Sequence, residues 1–355
     1  MILRASLAAG ILAASFTAGP HAALARDLTI ITRSAGTVWR EIVIEPFSQA
    51  SGIAALMEGG AGGPDALLAH AAEWDVVQLA ARDLLVACDQ GLLEKLDWAT
   101  IGGRDHYIGA ATTSDCGVGA AVSAIVLSWD RDKFAAAPSW SDFWDIAKYP
   151  GKRGLHRGAA GNLEFALIAD GVAPGDVYRT LRSDDGIERA FRKLDQLKPY
   201  VVWWQTAPSL GPALGTAPGA ADAARILGSG EVLMTSAPNT QIFAANHEGA
   251  RNFGIQWAGA MMQVQSWTIL KGTANLTSAQ KFLAFAGDPK IEGRLPAAAG
   301  LGGLAKGAND GLPTDQSVLS PSLPANFAAG FVMDAAFWRD NADKLDHRFE
   351  GWLAH

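Results

Sequence analysis

The chain has 355 residues, 29 of them basic and 36 acidic, with a net charge of −7 at pH 7. Only 18% of the residues are charged and 12 are tryptophan, which fits a packed globular protein and excludes a disordered one. No long block of one sign is present, so neither nucleic acid nor an anionic membrane surface is an expected partner.

Residues 1–25 read as a secretory signal. Arg4 precedes an apolar stretch from Leu7 to Phe16, and Ala23-Leu24-Ala25 supplies an A-x-A peptidase signature before Arg26 and Asp27. The stretch is too short to span a bilayer and is interrupted by Gly10, Gly19 and Pro20. A soluble periplasmic chain is therefore expected. In that oxidising compartment Cys88 and Cys116 are expected to form a disulfide, two buried free thiols being the alternative. Neither has a second Cys or a His three or four residues away, so no metal site is expected there.

Leu28 to Thr32 reads as a strand, followed by the turn Arg33 to Thr37 and a helix patterned on Val38, Ile42, Val43 and Phe47. A second strand is predicted over Ile53 to Glu58, a helix over Pro64 to Ala72, a third strand over Glu73 to Leu79, and a helix over Ala81 to Cys88. Such β-α alternation predicts a mostly parallel sheet covered on both faces. Val118 to Trp129 is a long β-prone run, read as a crossover between two lobes. Beyond it the pattern predicts a helix at Ser141 to Ala147, a strand at Arg153 to His156, helices at Asn162 to Ala169 and Asp184 to Gln196, and a strand at Val201 to Trp204.

A loop over Pro208 to Pro218 follows, then a helix at Ala220 to Gly228, a strand at Glu231 to Thr235, a turn at Ser236 to Asn239 and a helix at Thr240 to Glu248. Val264 to Leu270 reads as a returning strand and Ser278 to Ala286 as an amphipathic helix. A long helix over Phe331 to Leu353 closes the chain.

Enzyme signatures are absent: there is no G-x-S-x-G, no H-E-x-x-H and no phosphate loop. Gly300-Leu-Gly-Gly-Leu304 lies far from any β-α entry, and is read as a flexible loop rather than a dinucleotide site. No catalytic residue, cofactor or metal is expected. A periplasmic enzyme using Asp75, His156 or Glu164 is the remote alternative.

Several stretches in order carry a family resemblance: Ile44-Glu-Pro-Phe-Ser-Gln-Ala-Ser-Gly52, Glu73-Trp-Asp-Val-Val77, Gly91-Leu-Leu-Glu-Lys-Leu-Asp97, Ser139-Trp-Ser-Asp-Phe-Trp144, Tyr149-Pro-Gly-Lys152 and Gly228-Ser-Gly-Glu-Val232. The whole resembles the spermidine/putrescine-type extracellular solute-binding proteins, of the type II periplasmic class that serves ABC importers. The resemblance implies an α/β fold of two lobes, each a mainly parallel sheet flanked by helices, joined by two hinge strands. Lobe 1 would comprise residues 27–122 plus 265–305, and lobe 2 residues 123–264 plus 306–355. A monomer would close on a small-molecule solute and deliver it to an ABC permease in the inner membrane.

The family's polyamine contacts are aromatic rings and carboxylates, and here the chain departs from its relatives. On an approximate alignment the aromatic positions after the first and third strands fall on Arg33 and Arg82. The Trp before the late helix becomes Pro238, and the Trp and Asp of the returning strand become Gln263 and Gln265. The carboxylate region reads His156 to Asn162, with Glu164 the one nearby acid. An unpaired arginine against a buried diamine would cost on the order of 3–5 kcal/mol. The expected solute is therefore anionic or zwitterionic, held by Arg33, Arg82 and Arg157 through forked hydrogen bonds. Ser34, Thr37, Ser236, Asn239, Gln263 and Gln265 would add neutral ones. A polyamine remains the alternative.

Overall fold

The computed structural model describes residues 26–33, 37–60, 63–134, 136–205 and 222–355. Among them are the strands β1 (Leu28–Thr32), β2 (Ala55–Gly59), β3 (Val76–Ala80), β4 (Gly117–Asp130), β5 (Arg153–His156), β6 (Val201–Trp204), β7 (Met234–Pro238), β8 (Phe253–Ile269) and β9 (Phe331–Val332). They form one sheet in the order β2-β1-β3-β8-β4-β7-β5-β6, with β9 added to β8. The loop expected at Pro208 to Pro218 lies outside the described residues.

Strand direction creates the architecture. β1 pairs in parallel with β2 and β3, and β5 pairs in parallel with β6 and β7. The long strands between these trios are antiparallel to each other, to β3 and to β7. Following the directions through the sheet, the two trios run oppositely, so their carboxyl ends point at each other. β3 ends at Ala80, opposite Gln265, which faces Ala121; β7 ends at Pro238, opposite Ile125. At ~3.3 Å per residue, the stretch from Ala121 to Ile125 holds those two ends roughly 13 Å apart.

Each trio has its own core. One packs Ile30, Phe47, Val76, Trp267 and Phe282; the other packs Phe143, Leu155, Phe165, Phe191 and Phe349. This is the two-lobed α/β arrangement, with β4 and β8 as the shared strands. The limits written from sequence at 122/123 and 264/265 fall inside those two strands. The C-terminal helix Ala335–Ala354 buries Phe337, Trp338, Leu345 and Phe349 in the second core. It also reaches the helix Ala81–Asp89 on the first, where Arg339 meets Asp89 at 3.1 Å.

Several local readings need correction. β8 begins at Phe253 rather than Val264. Its first half carries Gly254, Gln256 and Gly259 and has weak strand propensity, so pairing with β4 imposes the extended form. Glycine is required at 254, since a Cβ there would lie 2.4 Å from the Trp129 ring. β7 spans Met234–Pro238, so Ser236 sits in a buried strand and not in a turn. The last helix starts at Ala335, and Phe331–Val332 pairs with β8 instead.

Gly300 to Leu304 is not a flexible loop either. Leu301 and Leu304 are buried, and Gly302 exchanges two backbone hydrogen bonds with Val122 of β4, at 2.8 and 2.9 Å. The backbone N–H groups of Leu304 and Ala305 donate to Glu292 Oε2. A Cβ on Gly303 would come within 2.7 Å of the Glu292 side chain, so close approach explains the glycines.

Cys88 and Cys116 are bridged, with Cα atoms 5.8 Å apart, and tie the helix Ala81–Asp89 to the start of β4 across 28 residues. Loop-closure entropy for that separation is about 3–4 kcal/mol. The double variant Cys88→Ser/Cys116→Ser should lose stability of this order in urea unfolding, and an unchanged midpoint would refute it.

Burial raises the Glu292 carboxyl from 4.5 to about 8. The folded chain then holds a proton that the unfolded chain has released, so this contribution is complete below about pH 4.5 and declines as pH rises through 8. Glu292→Gln keeps an acceptor oxygen and removes the titration. The variant should match the parent near pH 5 and exceed it at pH 8 in urea midpoint. A constant difference between the two pH values would show that Glu292 is ionised throughout.

Candidate functional site

The opposed strand ends define a cleft floored by the middle of β4 and β8, the crevice position at which open parallel sheets place ligands. Ser123 pairs with Gln263 across this floor, and Gln265 lies between Ala80 and Ala121. Gln265 is nearly buried. The Gln263 amide approaches Met333 Sδ at 3.8 Å.

On the first lobe Arg33 follows β1 directly. Its guanidinium is 11% exposed and lies 3.4 Å from Asp83, a residue in the first turn of the helix after β3. Arg82, half-exposed, approaches the other oxygen of Asp83 at 3.7 Å. Two guanidinium groups thus face one carboxylate, leaving one positive charge uncompensated. Burial pushes the Arg33 pKa down while Asp83 opposes that shift. Arg33 Nε is buried and has no partner.

The Arg33 backbone N–H donates to Gln78 Oε1 at 3.2 Å. Gln78 is wholly buried in β3, and its Nε2 is also without a partner. Sequence reasoning missed this residue. The signal was an amide inside the apolar run Val76-Val77-Gln78-Leu79, where a two-sided buried strand has no ordinary use for one.

The remaining expected residues are placed differently. Ser34 lies outside the described residues, and Thr37 is exposed at a helix start. Arg157 is turned to the C-terminal helix, where Nε and Nη2 donate to the two carboxylate oxygens of Glu350 at 3.1 and 2.6 Å. It is therefore not grouped with Arg33 and Arg82. The Asn239 amide joins elements: Oδ1 accepts from Ala124 N–H at 2.8 Å and Nδ2 donates to Gly300 O at 2.6 Å. Ser236 is buried with an unpaired Oγ, as is Oε1 of Gln241 in the first turn of helix Asn239–His247.

The second lobe's acids are engaged internally. Glu164 is fully buried and accepts from Gly161 N–H, Tyr178 Oη and Trp338 Nε1 at 2.8–2.9 Å. Burial raises its pKa. Asp346 accepts from Ala159 N–H. His156 packs edge-on to Trp204, and burial holds its pKa below the usual range. Asp75 lies at the other end of β3, bound by Arg26, Thr29, Thr273 and Asn275. No nucleophile–base pair emerges from these groups. Among the described residues no cluster of three His, Cys, Asp or Glu could hold a metal, and no helix is long and apolar enough to cross a membrane.

Comparison with known proteins agrees with this geometry. The profile of the family described as bacterial extracellular solute-binding protein matches residues 44–321. A γ-aminobutyric acid-binding protein of Pseudomonas aeruginosa is 39% identical over 282 residues, covering 79% of this chain and 76% of the relative. An ABC transporter substrate-binding protein from Bradyrhizobium japonicum superposes with a TM-score of 0.79 at 29% identity, covering 92% of this chain and 99% of that one. A solved GABA receptor superposes at 0.76 with 26% identity, covering 92% and 97%. With its cleft between opposed strand ends and its match over most of its length, the chain belongs to the bacterial extracellular solute-binding protein family and is the solute-binding component of an ABC transporter.

Proposed function

We propose that the solute is a short zwitterion bearing a carboxylate, of the γ-aminobutyrate class, held in the cleft with its carboxylate toward Arg33. The observation that carries this reading is the Arg33–Asp83–Arg82 group, a partly buried cluster with one surplus positive charge beside the end of β1. Such a surplus accommodates one carboxylate and opposes a dication. The γ-aminobutyric acid-binding relative supports the same class.

In this reading the ammonium end meets Ser236 Oγ and Gln241 Oε1, which are buried and unpaired in β7 and the first turn of the helix after it. The polyamine alternative loses its support, because Glu164 and Glu350 already have protein donors. Residues 1–25 act in this proposal as a cleaved export signal, and the mature chain works in the periplasm as a monomer. It delivers the solute unchanged to the permease and performs no reaction.

Thermal denaturation of the mature chain with γ-aminobutyrate, other ω-amino acids, succinate and putrescine tests the reading. Ligand at 100 times its Kd stabilises by about 2.7 kcal/mol. Carboxylated amines should raise the melting temperature and putrescine should not. Arg33→Ala should weaken the best ligand roughly 30-fold or more in calorimetric titration. A shift with putrescine alone would overturn the assignment.

A further inference from the structure

We propose that Gln78 selects a carboxylate over a carboxamide at the first-lobe end of the solute; this rests on the carboxylate-binding role of Arg33 given above. Gln78 is 0% exposed between Val77 and Leu79. Burying an amide without partners is unfavourable, and an apolar side chain would fill the strand at lower cost. Its retention of one hydrogen bond explains only half of the group.

That hydrogen bond settles which way the amide points. The Arg33 N–H needs an acceptor, so Oε1 must face it, as observed at 3.2 Å. The opposite orientation would set two donors against each other. Nε2 is consequently turned away from Arg33 N–H with no acceptor, and Arg33 Nε–H likewise has none. The unpaired atoms of this pair of residues are therefore all donors.

The bond from Arg33 N–H, directly after β1, sets this amide at the carboxyl end of that strand, the end that opens on the cleft. Gln78 is opposite Trp267, and Ala80 is opposite Gln265, so strand alternation puts Gln78, Gln265 and Gln263 on one face. A carboxylate offers acceptors alone and satisfies every free donor here. A carboxamide brings two N–H groups of its own, and an ammonium brings nothing else. Gln78 thus discriminates by leaving wrong ligands with opposed donors, the mechanism by which hydrogen-bonding sites reject near-isosteres.

The test compares γ-aminobutyrate with its primary amide, 4-aminobutanamide, by calorimetric titration of the parent chain, Gln78→Glu and Gln78→Met. Gln78→Glu retains the acceptor for Arg33 N–H and replaces the free donor by an acceptor; Gln78→Met removes both at similar length. The parent should prefer the carboxylate roughly 10- to 100-fold. That preference should vanish or invert in Gln78→Glu, and fall about tenfold in Gln78→Met. A purely structural role would weaken both ligands equally, so an unchanged preference in the variants overturns the role of Gln78 alone. A parent chain that binds no carboxylate at all would overturn this inference together with the solute assignment.

Discussion

The pairing of β4 with β8 is the constraint on which the rest of the molecule depends. Both strands pass through both lobes, and their register fixes where every other strand ends. Because they are antiparallel to each other and to their outer neighbours, the carboxyl ends of the two parallel trios are forced to converge. The crevice follows from strand direction together with this register. The register irregularity between Ile125 and Leu127 lies at the boundary between the two cores, where a local bend in two strands can change the angle of whole lobes.

Secondary contacts hold this pair in place. Gly302 bonds to Val122, Glu292 gathers the chain on the far side of that contact, and Asn239 links Ala124 to Gly300. The stretch from Gly300 to Leu304 is thus an in-plane neighbour of β4, joined to it by the antiparallel bridge between Gly302 and Val122. Asn239 belongs to this brace, with one hydrogen bond at its amide oxygen and one at its amide nitrogen.

Polar chemistry is divided unequally between protein and cleft. Most buried carboxylates are saturated by neighbours: Asp75 by four side chains or N–H groups, Glu164 by three. Among the described residues the unpaired buried polar atoms belong instead to Arg33, Gln78, Ser236 and Gln241, near the ends of β1, β3 and β7, and to the ring N–H groups of Trp98 and Trp204. Buried polar atoms ordinarily have partners, so unpaired ones near the strand ends support the proposed solute site.

Much of the fold was legible in the amino-acid sequence because it rests on local periodicity. The β-α alternation before residue 91, the strand Arg153–His156 and the helix Asn162–Ala169 follow from apolar spacing and glycine breaks within a few residues. The disulfide followed from compartment and count. Arg33 and Arg82 were recognisable as cations at strand ends. Long-range facts were not legible. The first half of β8 is extended only because β4 lies beside it, and Arg157 faces Glu350 only because the C-terminal helix folds back across 193 positions. Gln78 was passed over inside its apolar strand, and the orientation of its amide depends on the backbone of Arg33, 45 positions away. Propensity and periodicity act between near neighbours along the chain, whereas hydrogen-bond partnership is decided by whichever groups the completed sheet brings together.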